Sequence, residues 1–273
     1  MIIGDQHMPV MRRGYIQFLQ RIADKHQPDR IVNIGDAVDW NSISYHEKSP
    51  SASSAAREYR KALKQFKQLH TAFPKADMLI GNHDCLTERK AITAGLPTSL
   101  LRSYNDMWEI DWKVHPRFSK IKIDDVIYSH GDSGAGRAPA ALHQAKENFC
   151  STVIGHFHAQ AGVNFWANLE YRVFGMGVGC GIDVHAHEMD YGRKYPSKPI
   201  LGCGVVKNGK IPYFEPWLLK SRWHTYSPDF AYVSSYSVLL SGFSDRKIGK
   251  LGIFDKIPQK LLTIAHLPTI MCV

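Results

Sequence analysis

Five short motifs in this chain offer metal-binding side chains: Asp5-Gln6-His7, Gly35-Asp36, Gly81-Asn82-His83-Asp84, His130-Gly131 and Gly155-His156-Phe157-His158. Each stands where an apolar run rich in Ile, Val or Leu stops, so the pattern reads as one site spread over five strand ends. Hard or borderline divalent ions take carboxylate oxygen and neutral imidazole nitrogen. Two such ions about 3.5–4 Å apart clamp the attacking and leaving oxygens of a phosphoryl transfer. A pair of ions needs a shared carboxylate. Asp36 is the natural bridge, isolated after a strand and a glycine that lets the backbone approach closely.

The elements that must carry these motifs alternate. Met1–Ile3 is a very short strand, and Gly14–Lys25 reads as a helix with Ile16, Leu19, Ile22 and Ala23 on one face. Arg30–Ile34 is a strand, and residues 56–73 form a helix with Tyr59, Leu63, Phe66, Leu69 and Phe73 on its apolar side. Asp77–Ile80 is the next strand. Strand–helix alternation with chemistry always at carboxyl ends argues for an α/β fold with its site on one sheet rim.

Residues 88–111 look helical or irregular, broken at Gly95-Leu96-Pro97. Residues 118–123 and 126–129 read as a hairpin delivering His130, residues 139–149 as a helix, and Thr152–Ile154 as a strand delivering His156 and His158. Strands follow at 171–174 and 200–206, and Asn208-Gly209 suits a type I′ hairpin turn. The recognisable domain spans 1–216; residues 217–273 form a C-terminal extension without a sustained period.

Composition sets the frame. The 273 residues include 44% hydrophobic and 22% charged, the range of an ordinary globular protein, and the net charge is +9. Such an excess favours polyanionic partners by long-range steering without implying sequence recognition. Five widely spaced cysteines with no Cys-x-x-Cys pair indicate neither a disulfide framework nor a zinc ribbon. A cleaved leader of usual length would remove Asp5 and His7, and no apolar run approaches the roughly 20 residues of a membrane span, so a cytoplasmic location is expected.

Taken together, in order and spacing, the five motifs resemble the signature of calcineurin-like metallophosphoesterases over residues 1–216, and the later Tyr191-Gly192-Arg193 and Leu201–Gly204 are similar to phage-encoded members. The resemblance implies a four-layer α-β-β-α sandwich with the active site at the carboxyl ends of its strands. It implies two divalent ions, manganese first with Fe, Zn, Ni or Co also compatible. One ion is held by Asp5, His7, Asp36 and His158, the other by Asp36, Asn82, His130 and His156. A hydroxide bridging them attacks phosphorus. His83 stabilises the transition state or protonates the leaving oxygen, and Asp84 orients and charge-supports His83.

In the protein serine/threonine phosphatase branch, Gly-Asp-x-x-Asp is followed by a phosphate-gripping arginine, whereas Gly35–Asp39 is followed by Trp40. Arg137 and Arg193, each near glycines in a loop, are the alternative phosphate contacts. A small phosphomonoester or phosphodiester needs only the metals, His83 and one cation; a DNA or RNA strand also needs a basic track or stacking aromatics, which Trp40, Tyr45 and Trp166 permit. A scaffold that lost catalysis is disfavoured because the whole ligand set is present. Asp183, His185 and His187 follow a glycine run as weaker candidates. His26, His46, His70, His115, His143, His224 and His266 fall in no motif.

Overall fold

The computed structural model describes residues 1–45, 53–186 and 196–218. His46, His187, Arg193, His224, His266 and most of the expected C-terminal extension lie outside the described residues.

Two sheets face each other. In the first, β1 (Ile2–Ile3), β2 (Val32–Asn33), β3 (Asp77–Leu79) and β4 (Lys113–His115) run parallel. In the second, β5 (Ile121–Ile123) pairs antiparallel with β6 (Val126–Ser129), which runs parallel to β7 (Thr152–Ile154). The second sheet is completed by β8 (Gly162–Ala167) and β9 (Arg172–Gly177), in the order β5-β6-β7-β9-β8. The chain then returns to the first sheet with β10 (Gly202–Lys207) and β11 (Ile211–Pro216), giving β11-β10-β1-β2-β3-β4.

The short central strands are apolar enough to be buried on both faces, as parallel strands inside a layered fold must be. Ile2, Val32, Ile34 and Leu79 meet Val126, Tyr128, Val153, Phe174 and Met176 between the sheets. On the outer side of the first sheet lie α1 (Tyr15–His26) and α2 (Ala55–Ala72). Helix α1 buries Tyr15, Phe18, Leu19 and Ile22, and α2 buries Ala62, Phe66 and Leu69. Between β3 and β4 come α3 (Leu86–Thr93) and α4 (Tyr104–Trp108), and Trp108 of α4 packs at 5.7 Å from Phe66. Helix α5 (Ala140–Glu147) covers the second sheet, with Ala140 and Ala141 against Ile154. The layers are therefore α-β-β-α.

Asn208 and Gly209 have φ of 50° and 63°, as a type I′ turn requires, and join β10 to β11. Two strands were not legible in the sequence. Strand β8 is an edge strand with no buried face, so its residues carry no alternation, and β4 is a three-residue edge. Trp217, assigned from sequence to the extension, continues from β11: its N–H bonds Leu201 O at 2.9 Å and its ring stacks at 5.5 Å on Phe18.

Candidate metal centre

Pairing continues past the ends of β1 and β2 and places the first donor side chains. Asp5 N–H bonds Gly35 O at 2.8 Å and His7 N–H bonds Asp36 O at 3.0 Å, so the Asp-x-His segment runs beside Asp36. The residues ending β6 and β7 come from the opposite sheet. Three sets of donor atoms lie within 4.8 Å of one another: Asp5, His7 and His158; His7, Asp36 and His83; and Asp36, His130 and His156.

The fine geometry has two halves. In one, Nε2 of His7 and Nε2 of His158 are 3.2 Å apart, and His158 Nε2 is 3.1 Å from Asp5 Oδ1. Two imidazole nitrogens at that separation need a proton or a cation between them. In the other, His130 Nε2 stands 3.2 Å from Asp36 Oδ2 and 3.1 Å from Asn82 Oδ1. Both neighbours are acceptors, so the three atoms converge on one positive centre. Asp36 Oδ2 also lies 3.8 Å from His7 Nε2, so this carboxylate reaches both halves.

Remote hydrogen bonds fix which nitrogen faces the centre. His7 Nδ1 donates to Asp39 Oδ1 at 2.8 Å and His130 Nδ1 donates to Ile34 O at 3.0 Å, leaving Nε2 of each directed inward. Burial, helped by His83 and His158, holds the His7 pKa well below its ordinary value, so the ring is neutral and ready to ligate. Burial favours neutral Asp36, but His130 and His83 overcome it and keep its carboxyl well below the usual range. Burial likewise lowers His130, yet Asp36 wins and pushes it up to about 10. A proton thus stands where the carboxylate calls for positive charge. The donor set fits divalent cations, which would take that proton's place.

Backbone conformation is part of the construction. Asp5, His7, Asp36 and His156 all have φ between 49° and 64°, a left-handed region that costs roughly 1–2 kcal/mol per non-glycine residue. Such outliers gather where a site over-determines them. Gly81 and Gly155 answer a second constraint: a Cβ on Gly81 would overlap the Asp36 carboxylate, and one on Gly155 would overlap Asp5 Oδ2. Asp5 also accepts the His156 N–H, at 3.0 Å to Oδ1 and 3.1 Å to Oδ2, locking one motif to another across the two sheets.

Asp84, expected to orient and charge-support His83, does help to raise the His83 pKa, but its hydrogen bonds go elsewhere. Its Oδ2 accepts Gly81 N–H at 2.9 Å, and its Oδ1 accepts Val38 N–H at 3.2 Å and Tyr104 O–H at 2.9 Å. Asp84 therefore ties the Gly81–Asp84 turn to its neighbours. The group that orients His83 is Asp39: His83 Nδ1 donates to Asp39 O at 2.7 Å and stands 3.4 Å from Asp39 Oδ1. The same Oδ1 accepts from His7, so one buried carboxylate serves both rings. Asp36 and Asp39 raise the His83 pKa against the opposing effect of burial.

The other candidates divide. Arg137 is exposed on the loop before α5, beside Gly136, where a Cβ would meet the Phe157 ring at 3.3 Å. Asp183 pairs with Arg12 at 3.2 Å, and His185 is exposed. Trp40 is buried, parallel to Tyr59 with ring centroids 6.2 Å apart, and so is a core residue rather than a stacking surface. His26, His70 and His115 each bond a carboxylate. Sequence reasoning missed Gln144, which donates to Gly131 O at 2.8 Å and Ala135 O at 3.2 Å. It also missed Arg117, joined to Asp132 at 2.8 Å. Neither stands in a recognisable motif.

Residues 1–169 match the calcineurin-like phosphoesterase family. The chain belongs to that family. No curated protein matches the sequence. Among solved structures, the chain is similar to Vacuolar Protein Sorting 29 from Cryptosporidium parvum, at 10% identity and TM-score 0.38, covering 78% of this chain and 96% of that one. It is also similar to the phosphoesterase Yfce from E. coli, at 12% identity and TM-score 0.36, covering 75% and 85%. A third is the Pseudomonas putida nuclease MPE, at 11% and TM-score 0.34, covering 68% and 76%. Membership in the phosphoesterase family supports metal-dependent phosphoester hydrolysis as the general activity. The Asp and His groups are candidate metal-binding sets of the kind that activity calls for. Among the described residues no helix is long and apolar enough to cross a membrane.

Proposed function

We propose that the chain hydrolyses a phosphomonoester or phosphodiester with a dinuclear centre. Asp5, His7, Asp36 and His158 would hold one ion, and Asp36, Asn82, His130 and His156 the second. The observation that carries this reading is the reach of Asp36 Oδ2 to both halves, 3.8 Å from His7 Nε2 and 3.2 Å from His130 Nε2. Two divalent ions bound there supply Lewis acidity and make hydroxide available at neutral pH. Manganese is the ion we assign first; Fe, Zn, Ni and Co suit the same oxygen and nitrogen donors.

The chain's own residues do the rest. Asp39 holds the proton on His7 Nδ1 and so keeps the Nε2 lone pair pointed at the centre. His83, its Nδ1 engaged by Asp39 O, has Nε2 left to give a proton to the leaving oxygen or a hydrogen bond to the charge developing on phosphorus. Asp84 keeps the turn that carries Asn82 and His83 in register through Gly81 and Tyr104.

The test is Mn-dependent turnover of p-nitrophenyl phosphate and bis-p-nitrophenyl phosphate by the full chain beside His83→Ala. General acid catalysis contributes roughly 10²–10⁴-fold, so the variant should lose that factor in kcat while still binding metal. Equal rates for the two proteins would reject the role of His83. Absence of turnover by the unaltered chain on any ester would favour a binding scaffold.

A further inference from the structure

Two segments that leave the metal centre meet again further along the chain. One runs from Asp36 and Asp39 through the short turn Asn41–Ile43 to Tyr45. The other runs from Asn82 and His83 directly into α3; Leu86 N–H bonds His83 O at 3.0 Å and Arg89 N–H bonds Cys85 O at 2.9 Å. Where they meet, Tyr45 O–H and Thr93 Oγ1 are 3.1 Å apart. Lys90 Nζ stands 3.6 Å and Arg89 Cζ 4.9 Å from the centre of the Tyr45 ring.

Tyr45 is 52% exposed, and the half-buried Arg89 and Lys90 lie against its ring. Among the described residues no carboxylate lies within 4 Å of either cation, unlike Arg117, Arg30 and Lys25, which are each paired. Cations around an exposed ring suit a nucleic-acid strand: phosphates for the charges, an unpaired base for the ring. Arg89 follows His83 by six residues, on the same turn-to-helix segment.

We infer that Tyr45, Arg89 and Lys90 form a subsite for single-stranded nucleic acid that leads a phosphodiester to the metal centre. This rests on the phosphoesterase reading and names its substrate class. Arg89 and Lys90 contact two backbone phosphates flanking the scissile one, and Tyr45 stacks an unpaired base. The +9 net charge adds long-range attraction, while the patch supplies the local contacts.

The experiment measures binding of a labelled single-stranded oligonucleotide to the full chain carrying His83→Ala, in Mn, across 50 to 200 mM salt. Two lost single-strand phosphate contacts should make the log–log salt slope shallower by about 1.4 for Arg89→Ala/Lys90→Ala. The affinity ratio of parent to variant should then shrink about sevenfold over that range. Tyr45→Ala should weaken binding by about 5- to 150-fold, with Tyr45→Phe restoring most of it. Lys61→Ala/Lys64→Ala, on exposed positions of α2, removes the same charge elsewhere and should leave the slope nearly unchanged. Retained binding in the Arg89/Lys90 variant, or an equal loss in the α2 variant, would overturn the subsite. Small-ester turnover by the unaltered chain without oligonucleotide binding would reject the subsite and spare the hydrolase; binding without turnover on any ester would do the reverse.

Discussion

Asp39→Ala removes the oxygen that accepts the His7 Nδ1–H at 2.8 Å and leaves that donor in a pocket where both side chains are 1% exposed. A buried donor without a partner costs about 1–3 kcal/mol. The proton on Nδ1 then loses the bond that kept it there, and the tautomer with its lone pair on Nε2 loses its preference. Metal affinity should therefore fall by about 10–100-fold, the usual consequence of losing an outer hydrogen bond to a ligand. Asp39→Asn should cost less, because its amide oxygen can still accept the N–H, through a neutral bond of about half the strength.

His83 responds differently. Its Nδ1 is closer to the Asp39 carbonyl, at 2.7 Å, than to the carboxylate, at 3.4 Å, and the carbonyl survives both substitutions. At saturating Mn, kcat in either variant should stay above that of His83→Ala. Calorimetric titration of Mn into chelator-treated protein measures the first effect, and ester turnover at saturating metal the second. Unchanged Mn affinity in Asp39→Ala, or weaker binding in Asp39→Asn than in Asp39→Ala, would refute the reasoning.

Asp36→Asn should lower the tightly bound Mn from two ions per chain to one or none, read by elemental analysis after dialysis; two retained ions would contradict the bridging role. Gly81→Ala should abolish tight Mn binding because its methyl group enters the space of the Asp36 carboxylate, and the same titration checks it. Glu215 accepts from Lys25 at 2.8 Å and His26 at 2.6 Å, and these bonds hold its pKa below 4.5 against the opposing effect of burial. A depressed carboxyl contributes its stability above its unfolded pKa and loses it as pH falls through the folded one. Glu215→Gln should thus be less stable by about 1 kcal/mol at pH 7, with the gap closing as pH falls below 4.5. Thermal melts across that pH range decide it, and a gap that does not change with pH would count against the assignment.

The layered fold was legible where apolar segments are buried on both sides or where a helix shows one face. Val32, Asn33 and Asp77–Leu79 fall inside the expected strands, and the buried Leu19 and Ile22 of α1 fall on the expected face. Strand β8 was hidden because an edge strand with exposed residues from Asn164 to Ala167 has no pattern to read. Residues 88–111 were legible as helix broken at Gly95–Pro97, but where the second helix packs was not. Trp108 and Tyr104 owe their helix to packing against Phe66 on α2, a partner 42 and 38 residues away in the chain.

At the centre, residue type was enough to pick out the donor side chains that the fold brings together but not the residues that aim them. Asp5, Asp36, Asn82, His130 and His158 announce themselves because each ends a strand with a group a metal can use. Asp84 and Asp39 carry the same carboxylate, and adjacency to His83 favoured Asp84. Adjacent side chains on a tight turn point apart, so His83 finds its partner across space, on the segment after β2, while Asp84 turns back to Gly81 and Tyr104. The exchange has a chemical consequence. A carboxylate serving His83 alone would tune only the acid. Asp39 serves His7 as well, so the same residue sets the metal-binding tautomer and the position of the proton donor. Removing the Asp39 side chain must then disturb His7 more than His83, because the Asp39 carbonyl that holds His83 Nδ1 at 2.7 Å survives.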